Sequence, residues 1–179
     1  MIVVAIARRY AKALFSLADE QGQVEQWSSG LDALGRALQS SPELRETLAS
    51  PLFDKDQRRN VVAALARQLT LAETPTNFLL LLADRDRLAY LPAVIQTFRD
   101  LADARLGRSR AKVTSAVPLS AEETRRIAEQ LARSQKGEVI VESSVDPALL
   151  GGVVAQVGSL VYDGSVRSQL EELRRAMKH

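Results

Sequence analysis

A mainly α fold is predicted for this chain: an N-terminal six-helix bundle over residues 1–106, followed by a small C-terminal α/β domain over 107–179. Three observations predict it. Apolar residues recur with helical spacing from residue 3 to about 106, the pattern changes to strand-like alternation after Gly107, and helix-boundary residues punctuate the first region at regular intervals.

The opening segment is read as a structural helix. It is apolar and basic with no acid before Asp19, but Arg8 and Arg9 follow the apolar stretch, the reverse of a secretory signal. The second helix carries the clearest core-facing stripe, Val24, Trp27, Leu31, Leu34 and Leu38. Ser41-Pro42 reads as an N-cap followed by proline at the first helical position, and Ser50-Pro51 ends that short third helix. Asp54 and Gln57 have the spacing of a capping box for the fourth. Thr74-Pro75 is expected to start the fifth, whose run Phe78-Leu79-Leu80-Leu81-Leu82 is apolar on every side. Leu91-Pro92 restarts the chain into a sixth helix with Val94, Ile95, Phe98, Leu101 and Ala102 inward, and Gly107 can end it in a left-handed conformation.

Beyond Gly107, Ala111, Val113, Ser115 and Val117 alternate with Lys112, Thr114 and Ala116, as in a half-buried strand. Ser120 and Glu123 form a second capping box, for a helix reaching about Gln135, and Val139 and Val141 mark another strand. Gly151-Gly152 precedes an apolar run over 153–157, and Gly158-Ser159 separates it from 160–162, the pattern of a hairpin. Val166, Leu170, Leu173 and Met177 make a final amphipathic helix.

Composition excludes several classes of function. With no cysteine there is no disulfide, thiolate nucleophile or thiolate metal site. The sole histidine is His179, the last residue, a poor place for a positioned general base. A net charge of +2 is spread evenly, 13 Lys/Arg against 13 Asp/Glu in residues 1–105 and 11 against 9 in the rest, so no nucleic-acid surface is indicated. Apolar runs such as 2–7 and 78–83, six residues each, are far short of a membrane span of roughly 20. Gly151, Gly152 and Gly158 lack a Walker lysine or a following helix, so turn geometry accounts for them. Arg8, Arg9 and Lys12 are too few for a nucleic-acid patch and read as a solvated face. No catalytic, metal or cofactor-binding residue is assigned.

What is left unexplained is surplus apolarity. If Val3, Ala7, Leu14 and Ala18 face the core, then Ile6, Tyr10, Ala13 and Leu17 form a second apolar stripe on the first helix. The fifth helix has the same surplus, with Leu81 on one side and Leu79 and Leu82 on another. Two readings stand side by side: a groove for an amphipathic partner helix, or helices buried on both sides within the bundle.

Three segments resemble a known family, the delta subunits of rotary ATP synthases, whose mitochondrial counterpart is the oligomycin-sensitivity-conferring protein. They are Ala7-Arg8-Arg9-Tyr10-Ala11-Lys12-Ala13-Leu14-Phe15; Asn77-Phe78-Leu79 with Arg87-Leu88 and Leu91-Pro92; and Val145-Asp146-Pro147, Leu149, Gly151-Gly152-Val153, Gly158 and Asp163-Gly164-Ser165-Val166. Ala155 departs from the pattern, which has a larger aliphatic residue there. The resemblance implies a noncatalytic stator subunit. Its N-terminal domain is expected to bind the N-terminal helices of the alpha subunits through its first and fifth helices, and by resemblance Tyr10, Ala13 and Leu81 fall on that surface; with the rest of the stripe and the matching fifth-helix segment, the expected partner-binding residues are Ile6, Tyr10, Ala13, Leu17, Asn77, Phe78 and Leu81. The C-terminal domain is expected to meet the peripheral-stalk b subunits, through residues the resemblance does not identify. It also implies no cofactor, no nucleic-acid partner and no direct membrane insertion. With Arg outnumbering Lys 19 to 5 and no leader before the first helix, the expected place is the cytoplasmic face of a bacterial inner membrane. A rival remains: the delta bundle resembles that of the NusB antitermination family, which would make the chain an RNA-binding factor whose affinity falls steeply with salt. An enzyme is the third reading.

Overall fold

The computed structural model describes residues 2–50, 53–135 and 137–176, and the chain divides into two compact units at 102/103. The first holds α1 (Ile2–Glu20), α2 (Val24–Ser40), α3 (Pro42–Ala49), α4 (Lys55–Gln68), α5 (Glu73–Asp84), a 3-10 turn (Leu88–Tyr90) and most of α6 (Leu91–Leu106). Its core is the set of inward stripes meeting one another. Trp27, Leu31, Leu34 and Leu38 of α2 pack with Leu14 of α1, Leu79 and Leu82 of α5, and Val94 and Phe98 of α6. The Phe15 and Phe98 rings meet edge to face with centroids 6.0 Å apart. Burying each such side chain is worth roughly 1.5–3 kcal/mol, which is why these helices hold together although several, α3 above all, are too short to persist alone.

Helix ends follow local chemistry. The Leu44 N–H donates to Ser41 Oγ at 3.2 Å, with Pro42 at the first helical position. The Asp54 N–H donates to Gln57 Oε1 at 3.2 Å in a capping box. α3 ends at Ala49 with Ser50 as cap; Pro51, expected to break it, lies outside the described residues. Three C-termini close by the same device, in which a residue with positive φ lets two amides reach back to the last turn. Gly22 does this for α1, but Thr70 (φ 48°) and Asp86 (φ 54°) do it for α4 and α5. Leu71, next after Thr70, seats its side chain beside Gly30 of α2, where a Cβ on the glycine would lie 2.7 Å from Leu71 Cδ2.

Two boundaries differ from expectation. α5 begins at Glu73, with Ala72 as N-cap, so Thr74-Pro75 lies inside the first turn rather than starting the helix. The proline is tolerated because amides of the first turn have no intrahelical acceptor. Val117 is not part of a strand but 66% exposed beyond it, because the ladder ends where the Ser115 carbonyl accepts the Asp146 N–H and the chain turns away.

The second unit contains β1 (Arg108–Ser115), α7 (Ala121–Gln135), β2 (Glu138–Val145), β3 (Gly152–Val157), β4 (Leu160–Ser165) and α8 (Val166–Ala176). Gly107, at φ 66°, ends α6 and turns the chain into β1. The sheet order is β2-β1-β3-β4. β1 and β2 are parallel and joined through α7, while β3 pairs antiparallel with both β1 and β4. α7 opens with a reciprocal cap, the Ser120 N–H donating to Glu123 Oε2 at 2.8 Å and the Glu123 N–H to Ser120 Oγ at 3.2 Å. It covers a small core of Ala111, Val113, Val139, Ala155 and Val157 with Leu131. The opposite face of β1 is charged: Arg110 pairs with Asp103 and Glu142, and Arg108 with Glu138.

Candidate functional site

α1 divides its apolar residues between two faces. Ala7, Ala11, Leu14 and Ala18 are buried, a complete i, i+4, i+7, i+11 stripe that includes Ala11, which the sequence reading had not placed in the core. The side chain of Val3, expected inward with them, lies outside the described set. The second stripe faces out: Ile6 and Tyr10 are half-buried, Ala13 is exposed and Leu17 is 42% exposed.

α5 divides in the same way. Leu79, Leu82 and Ala83 are buried, Phe78 and Leu80 are half-buried, Asn77 is exposed, and Leu81 is 43% exposed. Its run of four leucines is therefore neither buried all round nor spare; one of the four is left in water.

The two helices meet at one aromatic pair. The Tyr10 and Phe78 rings lie edge to face, centroids 6.3 Å apart and planes at 68°, and the Arg9 guanidinium sits 5.8 Å from the Tyr10 ring centre. Leu81 lies one turn beyond Phe78 on α5, and Ala13 and Leu17 lie one and two turns beyond Tyr10 on α1. Ala13, between Tyr10 and Leu17, is the smallest side chain of its stripe. Of the seven expected residues, Tyr10 and Phe78 are brought together across the two helices; Ile6, Ala13 and Leu17 lie along α1, and Asn77 and Leu81 along α5.

Nothing in this surface is poised for proton transfer. Among the described residues, the carboxylates with displaced pKa values lie elsewhere and are held below the usual range. For Asp86 the chief cause is its bond from Arg58 (2.6 Å), for Glu123 the bonds from Ser120, and for Asp163 the bond from the Ser168 hydroxyl (2.6 Å). Each tightens a helix end or an ion pair and keeps the group ionised. A depression between α3 and the start of α6 is lined mostly by apolar residues, Leu38, Leu48, Leu88 and Pro92, with the Arg45 guanidinium at its side.

The most specific part of the family resemblance proves to be architecture. Asp163 accepts bonds from the Ser165 amide and the Ser168 hydroxyl, fixing the corner between β4 and α8. Opposite it, Gly152 sits at φ 81°, where a Cβ would collide with the Gly164 carbonyl oxygen. Ala155, small where the pattern is larger, is 6% exposed between Val113 and Tyr162 on the neighbouring strands.

The family model for the ATP synthase delta (OSCP) subunit matches residues 6–177. The chain belongs to this family. A delta subunit from Anaeromyxobacter dehalogenans (strain 2CP-C) is 58% identical over 178 residues, covering 99% of both chains. One from Myxococcus xanthus is 44% identical over 180 residues with the same coverage. A chain in the cryo-EM structure of the Toxoplasma gondii mitochondrial ATP synthase hexamer superposes with a TM-score of 0.71 at 22% identity, covering 97% of each chain, and so shares the fold. As a delta subunit the chain is a stator component, a linker at the peripheral stalk of an ATP synthase.

The last helix was read from sequence only as amphipathic, and on it Val166 and Leu170 are 39% and 57% exposed, while Leu150, Leu160 and Val161 are 53–74% exposed. The stripe was visible, but an amphipathic pattern reads the same whether it faces its own core or a partner. Met177, expected on that stripe, and His179 lie outside the described residues.

Proposed function

We propose that the chain is the noncatalytic adaptor of a bacterial ATP synthase, with the outer faces of α1 and α5 receiving the amphipathic N-terminal helices of the alpha subunits and the second unit receiving the b subunits of the stalk. The carrying observation is the division of α1, whose Ala7, Ala11, Leu14 and Ala18 stripe is buried while Ile6, Tyr10, Ala13 and Leu17 are left wholly or partly in water. An apolar stripe beside a half-buried aromatic pair shared between α1 and α5 is what helix-in-groove recognition requires. Such an adaptor works by holding. Rotor torque loads its contacts, so slow dissociation matters more than any reactive group, and two linked contacts raise the effective concentration of each. Among the described residues no helix is long and apolar enough to cross a membrane, which fits a protein held through its partners at the cytoplasmic face of the inner membrane.

Calorimetric titration of the whole chain with a peptide from the start of the matching alpha subunit tests this. One-to-one saturable binding is expected, and Ala13→Asp should weaken it by about 100-fold or more, since an unpaired carboxylate would be buried in the interface. Because Ala13 is exposed, the far-UV circular dichroism of that variant should match the parent. Unchanged affinity, or RNA binding in place of peptide binding, would overturn the proposal.

A further inference from the structure

α8 is an 11-residue helix that leaves the end of β4 and packs against no other element to a comparable extent. Among its described side chains Ser168 is half-buried and the rest are exposed, Val166 the least clearly at 39%. A helix of this length is marginal by itself, and the described members of its apolar stripe, Val166 and Leu170, are exposed rather than packed into a core. The stripe has a definite period. Val166, Leu170, Leu173 and Met177 are spaced four, three and four apart, the d-a-d-a positions of a heptad repeat. In that frame Arg167 and Arg174 both fall at position e, beside the seam, and both are exposed. The flank therefore carries basic charge at two successive turns of the repeat, and the positions that pair across a two-helix seam are those that select a partner by charge. The stripe also continues past the helix: the Val166 amide donates to the Gly151 carbonyl at 3.0 Å, which places 74%-exposed Leu150 beside the start of α8.

We infer that α8 forms a two-helix seam with an amphipathic stalk helix whose 3.5-residue apolar stripe is bordered by acidic residues, with Val166 and Leu170 in the seam, Leu150 at its end and Arg167 and Arg174 choosing the partner by charge. This rests on the second unit being the stalk-binding one, and it adds which surface is used and what chemistry the stalk must present.

The test titrates the full chain with two kinds of probe: the soluble part of the cognate b subunit, and synthetic heptad peptides identical except for Glu or Lys beside the apolar stripe. Binding of the b fragment should fall about 30-fold or more in Leu170→Asp and about tenfold or more in the double variant Arg167→Glu with Arg174→Glu, with circular dichroism of the free chains unchanged. The parent should prefer the Glu-flanked peptide, and the double variant the Lys-flanked one. If the b fragment binds the parent and both variants alike, the seam is wrong while the stalk reading stands. If the b fragment fails but the Glu-flanked peptide binds through Leu170, the seam stands and the stalk reading falls. If neither probe binds the parent, both fall.

Discussion

Thr70 is the residue whose conformation is hardest to justify from its own chemistry. A β-branched side chain at φ 48° costs roughly 1–2 kcal/mol, and α4 accepts that cost because the Leu71 side chain then seats beside Gly30. Thr70→Gly should remove the strain, partly offset by the greater freedom of an unfolded glycine, and stabilise the first unit by about 0.5–1 kcal/mol. A urea midpoint at or below that of the parent would show that threonine makes a compensating contact. Asp163 acts in the other unit through charge. Its folded pKa lies below the ordinary 3.8, so it favours the folded state above that pH, and the contribution is lost as pH falls through the folded value. Asp163→Asn should therefore be less stable than the parent near pH 7, with the gap narrowing below about pH 4. A gap independent of pH would point to shape rather than charge.

Helix ends and helix faces were legible from sequence to different degrees. Ends set by side-chain oxygens could be read directly, because Ser41, Asp54 and Ser120 each stand three residues before the group they bond. Ser41→Ala should cost α3 about 1 kcal/mol in a denaturant melt, and a change below a few tenths would mean that Pro42 alone fixes the start of the helix. The left-handed ends at Thr70 and Asp86 could not be read, since neither is glycine and the packing that selects them comes from other helices. The same limit applies to faces. The two stripes of α1 were separable because one helix cannot bury both against a single core. The single stripe of α8 carried no sign of whether its own domain would cover it.

At the scale of the whole chain, two separate cores lie either side of a division inside α6, one built on Trp27, Leu14 and Phe98 and one on Val113, Val139 and Leu131. Damage to one core should then leave the other intact. Gly152→Ala, which drives a Cβ into the Gly164 carbonyl, is expected to lower the stability of the second unit and leave the first unchanged. The means of observing this is already in the chain. Trp27 is its only tryptophan, 2% exposed, with its indole N–H donating to Gln23 Oε1 at 2.8 Å. Its emission is an intrinsic optical label confined to one half of the molecule. Fluorescence will follow the melting of the bundle and stay dark to events around the sheet, whereas circular dichroism sums both. For Gly152→Ala the two signals should separate, the dichroism gaining an early phase while the fluorescence midpoint stays put. If the two curves shift together, the halves unfold as one.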